Sequence, residues 1–259
     1  MKKLLLFTML ALGVTTTQAQ NAEYVISGNA PEGTNWVYYF YNGKFRSVDS
    51  VAVKDNKFQL NGTQPLNTFI TVAADHQHSV TVVNDHTPIT VNLKNGNVTG
   101  SPQNVQFANF QKEQNKLDEK MMDIYKKYQA VASDKTIEGQ TKKGVFEGLM
   151  EQTEQKQIKD ILAFANSNKK GVTPAYFLGQ SYYSLTYEEL VSALDNTSAY
   201  YNHPMMERAK QQLRSLEKRR PGLKFTDLAM HDTEGKPAKL SQWVGKGNYV
   251  LVDFWASWC

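Results

Sequence analysis

The chain has 259 residues, with 29 basic and 25 acidic side chains, a formal net charge of +4, 41% hydrophobic residues and a single cysteine. A charge this close to balance does not predict nucleic-acid binding, and a lone cysteine excludes a disulfide framework within these residues. The length allows more than one domain.

The first element is a leader. Met1-Lys2-Lys3, an apolar run from Leu4 to Val14 and a polar stretch closing on Thr17-Gln18-Ala19 have the plan of a secretory signal, with cleavage expected after Ala19. The run is short for a bilayer span, and no later stretch approaches the ~20 apolar residues that a transmembrane helix needs. The mature chain, without Lys2 and Lys3, is therefore expected outside the cytoplasm, in a periplasm. Membrane contact is expected only if the signal stays uncleaved.

From Glu23 to Gly100 short apolar runs alternate with turn pairs. Tyr24–Ser27, Trp36–Tyr41, Ser47–Val53, Lys57–Leu60, Phe69–Ala73, Ser79–Val83 and Ile89–Leu93 read as strands, and Asn42-Gly43, Asn61-Gly62 and Asn95-Gly96 as tight turns that tolerate positive φ. This spacing predicts a small antiparallel β-sandwich or barrel. The run Trp36-Val37-Tyr38-Tyr39-Phe40-Tyr41 has two readings, a ligand-stacking platform or an ordinary strand whose aromatics suit a pleated surface. His76 and His78, with Asp75, Asp85 and His86 close in sequence, could form a metal site, but no cysteine or further histidine completes a metal-ligand spacing, and a polar hairpin tip is the simpler reading.

After Ser101-Pro102 the period changes. Phe110, Leu117, Ile124 and Val131 recur every seventh position, with Phe107, Met121 and Tyr128 on the adjoining stripe, predicting a helix from Asn104 to about Val131. A second helix is predicted over Lys143 to Asn166, after a turn within Ser133–Thr141. The two most simply form an antiparallel hairpin, with a parallel homodimeric coiled coil as the alternative. Further helices are expected around Thr173–Ser184, Thr186–Leu194 and Pro204–Arg219. Thr186 with Glu189 fits a capping box, and Pro221-Gly222 closes the region. The basic cluster Lys218-Arg219-Arg220 reads as the solvated end of a helix, favoured by its dipole.

The last segment returns to extended structure. Phe225–Leu228 reads as extended, Asp232–Lys236 as a turn, and Ser241–Val244 as a short helix capped by Ser241. Tyr249-Val250-Leu251-Val252-Asp253-Phe254-Trp255 is nearly unbroken apolar sequence, the mark of a central parallel strand covered on both faces.

That run continues into Ala256-Ser257-Trp258-Cys259, and Leu251–Cys259 resembles the approach to the active site of thioredoxin and its exported relatives of the ResA and TlpA type. In those proteins a strand leads directly into a Trp-Cys-x-x-Cys turn at a helix N-terminus. The Asp232–Lys236 turn and the Leu240-Ser-Gln-Trp helix resemble the extension that precedes this strand in the relatives. The pair Gly100-Ser101 and the stretch Pro174-Ala175-Tyr176-Phe177, in this order of parts, resemble exported Bacteroidetes-type proteins, which place a small β domain of unknown function ending in such a Gly-Ser pair before a helical region and a thioredoxin-like domain. The resemblance covers about residues 222–259 and implies an exported thiol–disulfide oxidoreductase that needs no cofactor or metal. Its implied partners are protein thiols or disulfides and an upstream redox protein, not nucleic acid. It further implies that Cys259 is the attacking thiolate, lowered in pKa by a following helix. Asp253 matches the buried carboxylate associated with proton transfer at the second cysteine, and Trp255 and Trp258 match the flanking aromatics. The second cysteine would lie two residues past Cys259, so these 259 residues alone are not expected to turn over.

The fold class expected is thus α+β and multidomain: a signal over 1–19, a β-sandwich-like domain over 22–103, a helical region over 104–220 and the first part of a thioredoxin-like domain over 222–259. Two other functions compete. A peroxiredoxin would place a threonine shortly before its reactive cysteine within a proline-rich approach, whereas the approach here is Trp255-Ala256-Ser257-Trp258. The β and helical regions could instead be a non-catalytic binding or docking module.

Overall fold

A computed structural model describes residues 20–42 and 49–256. Two compact units divide the chain between Gln212 and Leu213. The leader, Trp258 and Cys259 lie outside the described residues.

The first unit opens with eight strands: β1 (Asn21–Asn29), β2 (Trp36–Tyr41), β3 (Asp49–Ala52), β4 (Lys57–Pro65), β5 (Phe69–Ala73), β6 (Ser79–Val83), β7 (Ile89–Asn92) and β8 (Asn97–Thr99). They form two four-stranded sheets, ordered β4-β1-β7-β8 and β3-β2-β5-β6. Pairing is antiparallel throughout except between β1 and β7, which run parallel. Because strand side chains alternate between faces, Tyr24, Ile26, Phe58, Leu60, Ile89 and Val91 from the first sheet meet Val37, Ile70, Val72, Val80 and Val82 from the second in one core. The two layers form a β-sandwich.

Two sequence expectations change here. Asn61-Gly62 is not a turn but lies inside β4, paired with Val25 and Tyr24. Glycine stands there for room, since a Cβ at Gly62 would run into the Tyr24 ring. The additional strand β8 follows a turn in which Gly96 takes φ +68°, as the Asn95-Gly96 pair implied.

The outer face of β2-β5-β6 is covered by helices, which is why β5 is buried on both faces. Helix α1 (Pro102–Val131) begins at Ser101, whose side chain accepts from the Asn104 N–H, with Pro102 in the first turn. Helix α2 (Ile137–Ser167) begins at Thr136, which caps Gly139. It starts six residues earlier than the apolar period suggested, so the connecting turn is short. Phe110 stacks on Phe164 with centroids 4.1 Å apart, Gln157 donates to Asp118 at 2.6 Å, and Lys143 sits 5.8 Å over the Tyr128 ring. These pairings step oppositely along the two helices, which therefore form an antiparallel hairpin. Helices α3 (Pro174–Ser181), α4 (Tyr187–Ala193, with the Thr186/Glu189 capping box) and α5 (Glu207–Glu217) follow.

The sandwich and the helices share a core. Phe69 of β5, Phe107 and Phe110 of α1, Phe164 of α2 and Tyr176 and Phe177 of α3 form a run of ring contacts with centroids 4.1 to 5.7 Å apart. Strand β6 is also latched to α1. Asn104 Oδ1 accepts from the Val83 N–H at 2.7 Å while its Nδ2 donates to the Val83 carbonyl at 2.9 Å. Two turns further along the helix, Gln111 does the same for Thr81, donating to its carbonyl at 2.9 Å and accepting from its N–H at 3.4 Å. Two side-chain amides thus stand where a neighbouring strand would be, satisfying an edge that would otherwise be open.

In the second unit, β9 (Ala229–His231) and β10 (Pro237–Lys239) form a hairpin. Asp232 Oδ1 accepts from the N–H groups of Glu234 and Lys236, and Gly235 takes φ +78°. A short 3-10 turn spans Leu240–Gln242, and Ser241 donates through its N–H and its hydroxyl to Asp227, both at 2.8 Å. Tyr249–Trp255 forms no strand. Tyr249, Leu251, Phe254 and Trp255 are 77% to 108% exposed, the loose packing expected where about forty residues cannot build a core alone. A strand needs a ladder partner and cover, and the only sheet among the described residues of this unit is the two-stranded hairpin.

Candidate functional site

A cleft of about 1000 Å³ opens on the helix-covered side of the sandwich. Its floor is the outer face of β2, β5 and β6, and its walls are α1, α3 and the segment Pro204–Arg208. Strand alternation places the residues. Val37, Tyr39 and Tyr41 turn toward the sandwich core, where the Tyr24 and Tyr41 hydroxyls meet at 2.7 Å. Burial, with the Asp49 hydrogen bond behind it, pushes the Tyr39 phenol up to about 12. Tyr38 and Phe40 face the other way and line the cleft, Tyr38 remaining 45% exposed. The aromatic run is thus an ordinary strand whose alternate residues fill a core face, with Tyr38 and Phe40 on the opposite face lining the cleft.

Beneath that wall lies a line of hydroxyls. Thr71 and Thr81 Oγ1 atoms are 2.9 Å apart, and Thr81 Oγ1 is 3.2 Å from the Tyr176 hydroxyl. These partners come from positions up to 95 residues apart, so no local pattern brings them together. The signal available was two threonines on the outward positions of otherwise apolar strands. Gly179 of α3 packs so closely that a Cβ would meet the Met205 carbonyl. That approach brings Arg208 to the rim.

The histidines of the β5–β6 turn do not converge on a metal. His78 Nδ1 lies 2.8 Å from Asp75, whose carboxylate also accepts from the Gln77 N–H at 2.7 Å. The His78 contact first, then the Gln77 N–H, holds Asp75 below the usual carboxylate range. His86 instead faces the Glu23 carbonyl at 3.1 Å, and Asp85 accepts from Ser101 and Asn104 at the start of α1. Among the described residues no three His, Cys, Asp or Glu side chains form a group able to hold a metal ion. The polar hairpin tip is the structure found.

Of the redox residues implied by resemblance, Asp253 and Trp255 are exposed in the extended run after Tyr249, while Trp258 and Cys259 lie outside the described residues. Among the described residues Asp253 has no strand partner and no covering layer. Among the described residues no helix is long and apolar enough to cross a membrane.

Residues 24–107 match the model of a family described as a domain of unknown function, DUF4369. The match spans the sandwich and the first turns of α1, and so includes Asn104, the first of the two side chains that latch β6. No solved structure matches the chain.

Proposed function

We propose that this chain carries the leading part of an exported, periplasmic thiol–disulfide oxidoreductase of the thioredoxin-like type, with Cys259 as the attacking thiol. The observation that carries this reading is the sequence Leu251-Val252-Asp253-Phe254-Trp255-Ala256-Ser257-Trp258-Cys259, an apolar strand-forming run ending in Trp-Cys.

The chemistry is disulfide exchange. The Cys259 thiolate attacks one sulfur of a substrate disulfide; a new sulfur–sulfur bond forms to Cys259, the substrate bond breaks, and the departing thiolate takes a proton. Release of the substrate requires a second thiol, and these residues contain one cysteine. A proton-transfer role for Asp253 requires burial that it lacks among the described residues. The test is insulin reduction by a form continued through a second cysteine and a whole thioredoxin-like domain, which Cys259→Ser should abolish.

The cleft favours a second reading, in which the sandwich and helices are a binding module that acts without redox chemistry. In that case Cys259→Ser leaves the biological activity intact.

A further inference from the structure

The cleft over β2, β5 and β6 has a volume at the upper end of the range of small-ligand sites. Its lining is mostly apolar, with Phe40, Ala73, Met205 and the accessible ring of Tyr38. One acidic and one basic side chain line it, Asp75 and Arg208, and their states differ. Asp75 is already held: His78 Nδ1 lies 2.8 Å from it, and it accepts from the N–H groups of Gln77 and His78 at 2.7 and 2.8 Å. Arg208 is exposed and makes no hydrogen bond or ion pair with any described residue, although its guanidinium carries five N–H donors in a planar fork. A further donor without an acceptor belongs to the line of hydroxyls. Thr71, Thr81 and Tyr176 bring three protons to a line joined by two hydrogen bonds, so one proton always lacks an acceptor within it. The close approach of Gly179 to the Met205 carbonyl sets the start of α5, with Arg208, against the helix that carries Tyr176.

These features select a ligand chemistry. An ammonium group would meet the charge of Arg208 and find the one lining carboxylate already engaged. A wholly apolar ligand would cover the guanidinium and the spare hydroxyl proton without giving either an acceptor, which weakens binding. A phosphate dianion would bring two charges to one arginine in a mostly apolar site. A peptide that joins a sheet needs an open strand edge, and the β6 edge beside this cleft is closed by Gln111 and Asn104. A carboxylate on an apolar body meets every feature: its two oxygens match the guanidinium fork, and its body covers the aromatic surface. We propose that the cleft binds a small aromatic or aliphatic monocarboxylate, with Arg208 on the carboxylate and Tyr38 against the apolar body. The proposal rests on the cleft being a binding site, as in the binding-module reading, and makes no use of Cys259.

The experiment is amide-detected NMR titration of the full chain with octanoate, phenylpropionate and N-acetylphenylalanine at millimolar concentrations, each against its uncharged primary amide, with phenethylamine as the ammonium control. At least one acid should give saturable shifts at the backbone N–H groups of Ala73, Thr81 and Gly179. It should bind at least about fivefold tighter than its amide, the scale of one partly exposed ion pair, and added salt should narrow that difference. Arg208→Gln, on an exposed position, should bind acid and amide alike, whereas Tyr38→Ser, also exposed, should weaken both together. The proposal is overturned if no acid of the panel shifts these groups, if the amide or phenethylamine binds as tightly as the acid, or if Arg208→Gln keeps the preference for the acid. Each of these results would remove the carboxylate and leave the binding-module reading standing, because that reading is decided separately, by whether Cys259→Ser preserves the biological activity.

Discussion

His203 is a histidine held neutral by its surroundings. Its Nε2–H donates to the Asn67 carbonyl at 3.1 Å, its Nδ1 accepts from the Met205 N–H at 3.2 Å, and its ring lies 5.0 Å from that of Phe69. Burial pushes its pKa below the ordinary 6.5, against a smaller opposing effect from the Asn67 hydrogen bond. The unfolded chain therefore takes up a proton at a pH where the folded chain does not, so stability falls as pH drops below about 6.5 and is regained above it. His203→Asn retains an acceptor for the Met205 N–H and removes the titration. Its stability, from urea denaturation, should change less than the parent's between about pH 7.5 and pH 5.5. Equal pH dependence in the two would show that His203 is not the group responsible. Nothing local in the sequence marked this residue, because its partners are Asn67 and Phe69, more than 130 residues earlier.

At the scale of elements, strands and helices were legible where their period was strong. The alternation in β2, β5 and β6 located these strands to the residue, and the heptad stripe of α1 pointed correctly to an antiparallel partner. Strand β8 escaped because its three residues contain one buried apolar side chain, Val98. Asn61-Gly62 misled because a glycine needed for the Tyr24 ring looks the same in sequence as one needed for a turn. The latch between α1 and β6 was illegible in principle: Asn104 and Gln111 read as ordinary polar positions until the fold sets them beside Val83 and Thr81. This latch makes a strong prediction. Asn104 is fully buried, so Asn104→Leu strands the N–H and carbonyl of Val83 and should cost on the order of 2–5 kcal/mol. Equilibrium denaturation checks it. A cost below about 1 kcal/mol, the scale of one ordinary hydrogen bond, would mean that Val83 finds other partners and that the latch does not hold the edge.

At the scale of the molecule, the first unit contains its own core, running from the sandwich through the Phe69–Phe107–Phe177 rings to the helical hairpin. The strands and helices form one compact unit, in which β5 carries buried side chains on both faces. Removing residues 222–259 should leave its cooperative thermal transition within about 1 °C of the parent, below the roughly 2–4 °C shift that 1 kcal/mol produces in a unit of this size. A larger fall would show that the later residues contribute to its stability. The proposed redox role has a different basis, since it rests on the local sequence Leu251–Cys259, whose cysteine lies outside the described residues.

Insulin reduction by dithiothreitol, followed as turbidity, decides that assignment. The assay compares the 259-residue chain, the form continued through a second cysteine and a whole thioredoxin-like domain, and that form with Cys259→Ser. The continued form should accelerate precipitation, the Cys259→Ser form should not, and the 259-residue chain should form mixed disulfides without turning over. Turnover that survives Cys259→Ser, or a folded continued form with no activity, would contradict the thiol–disulfide role and leave the cleft as the basis of function.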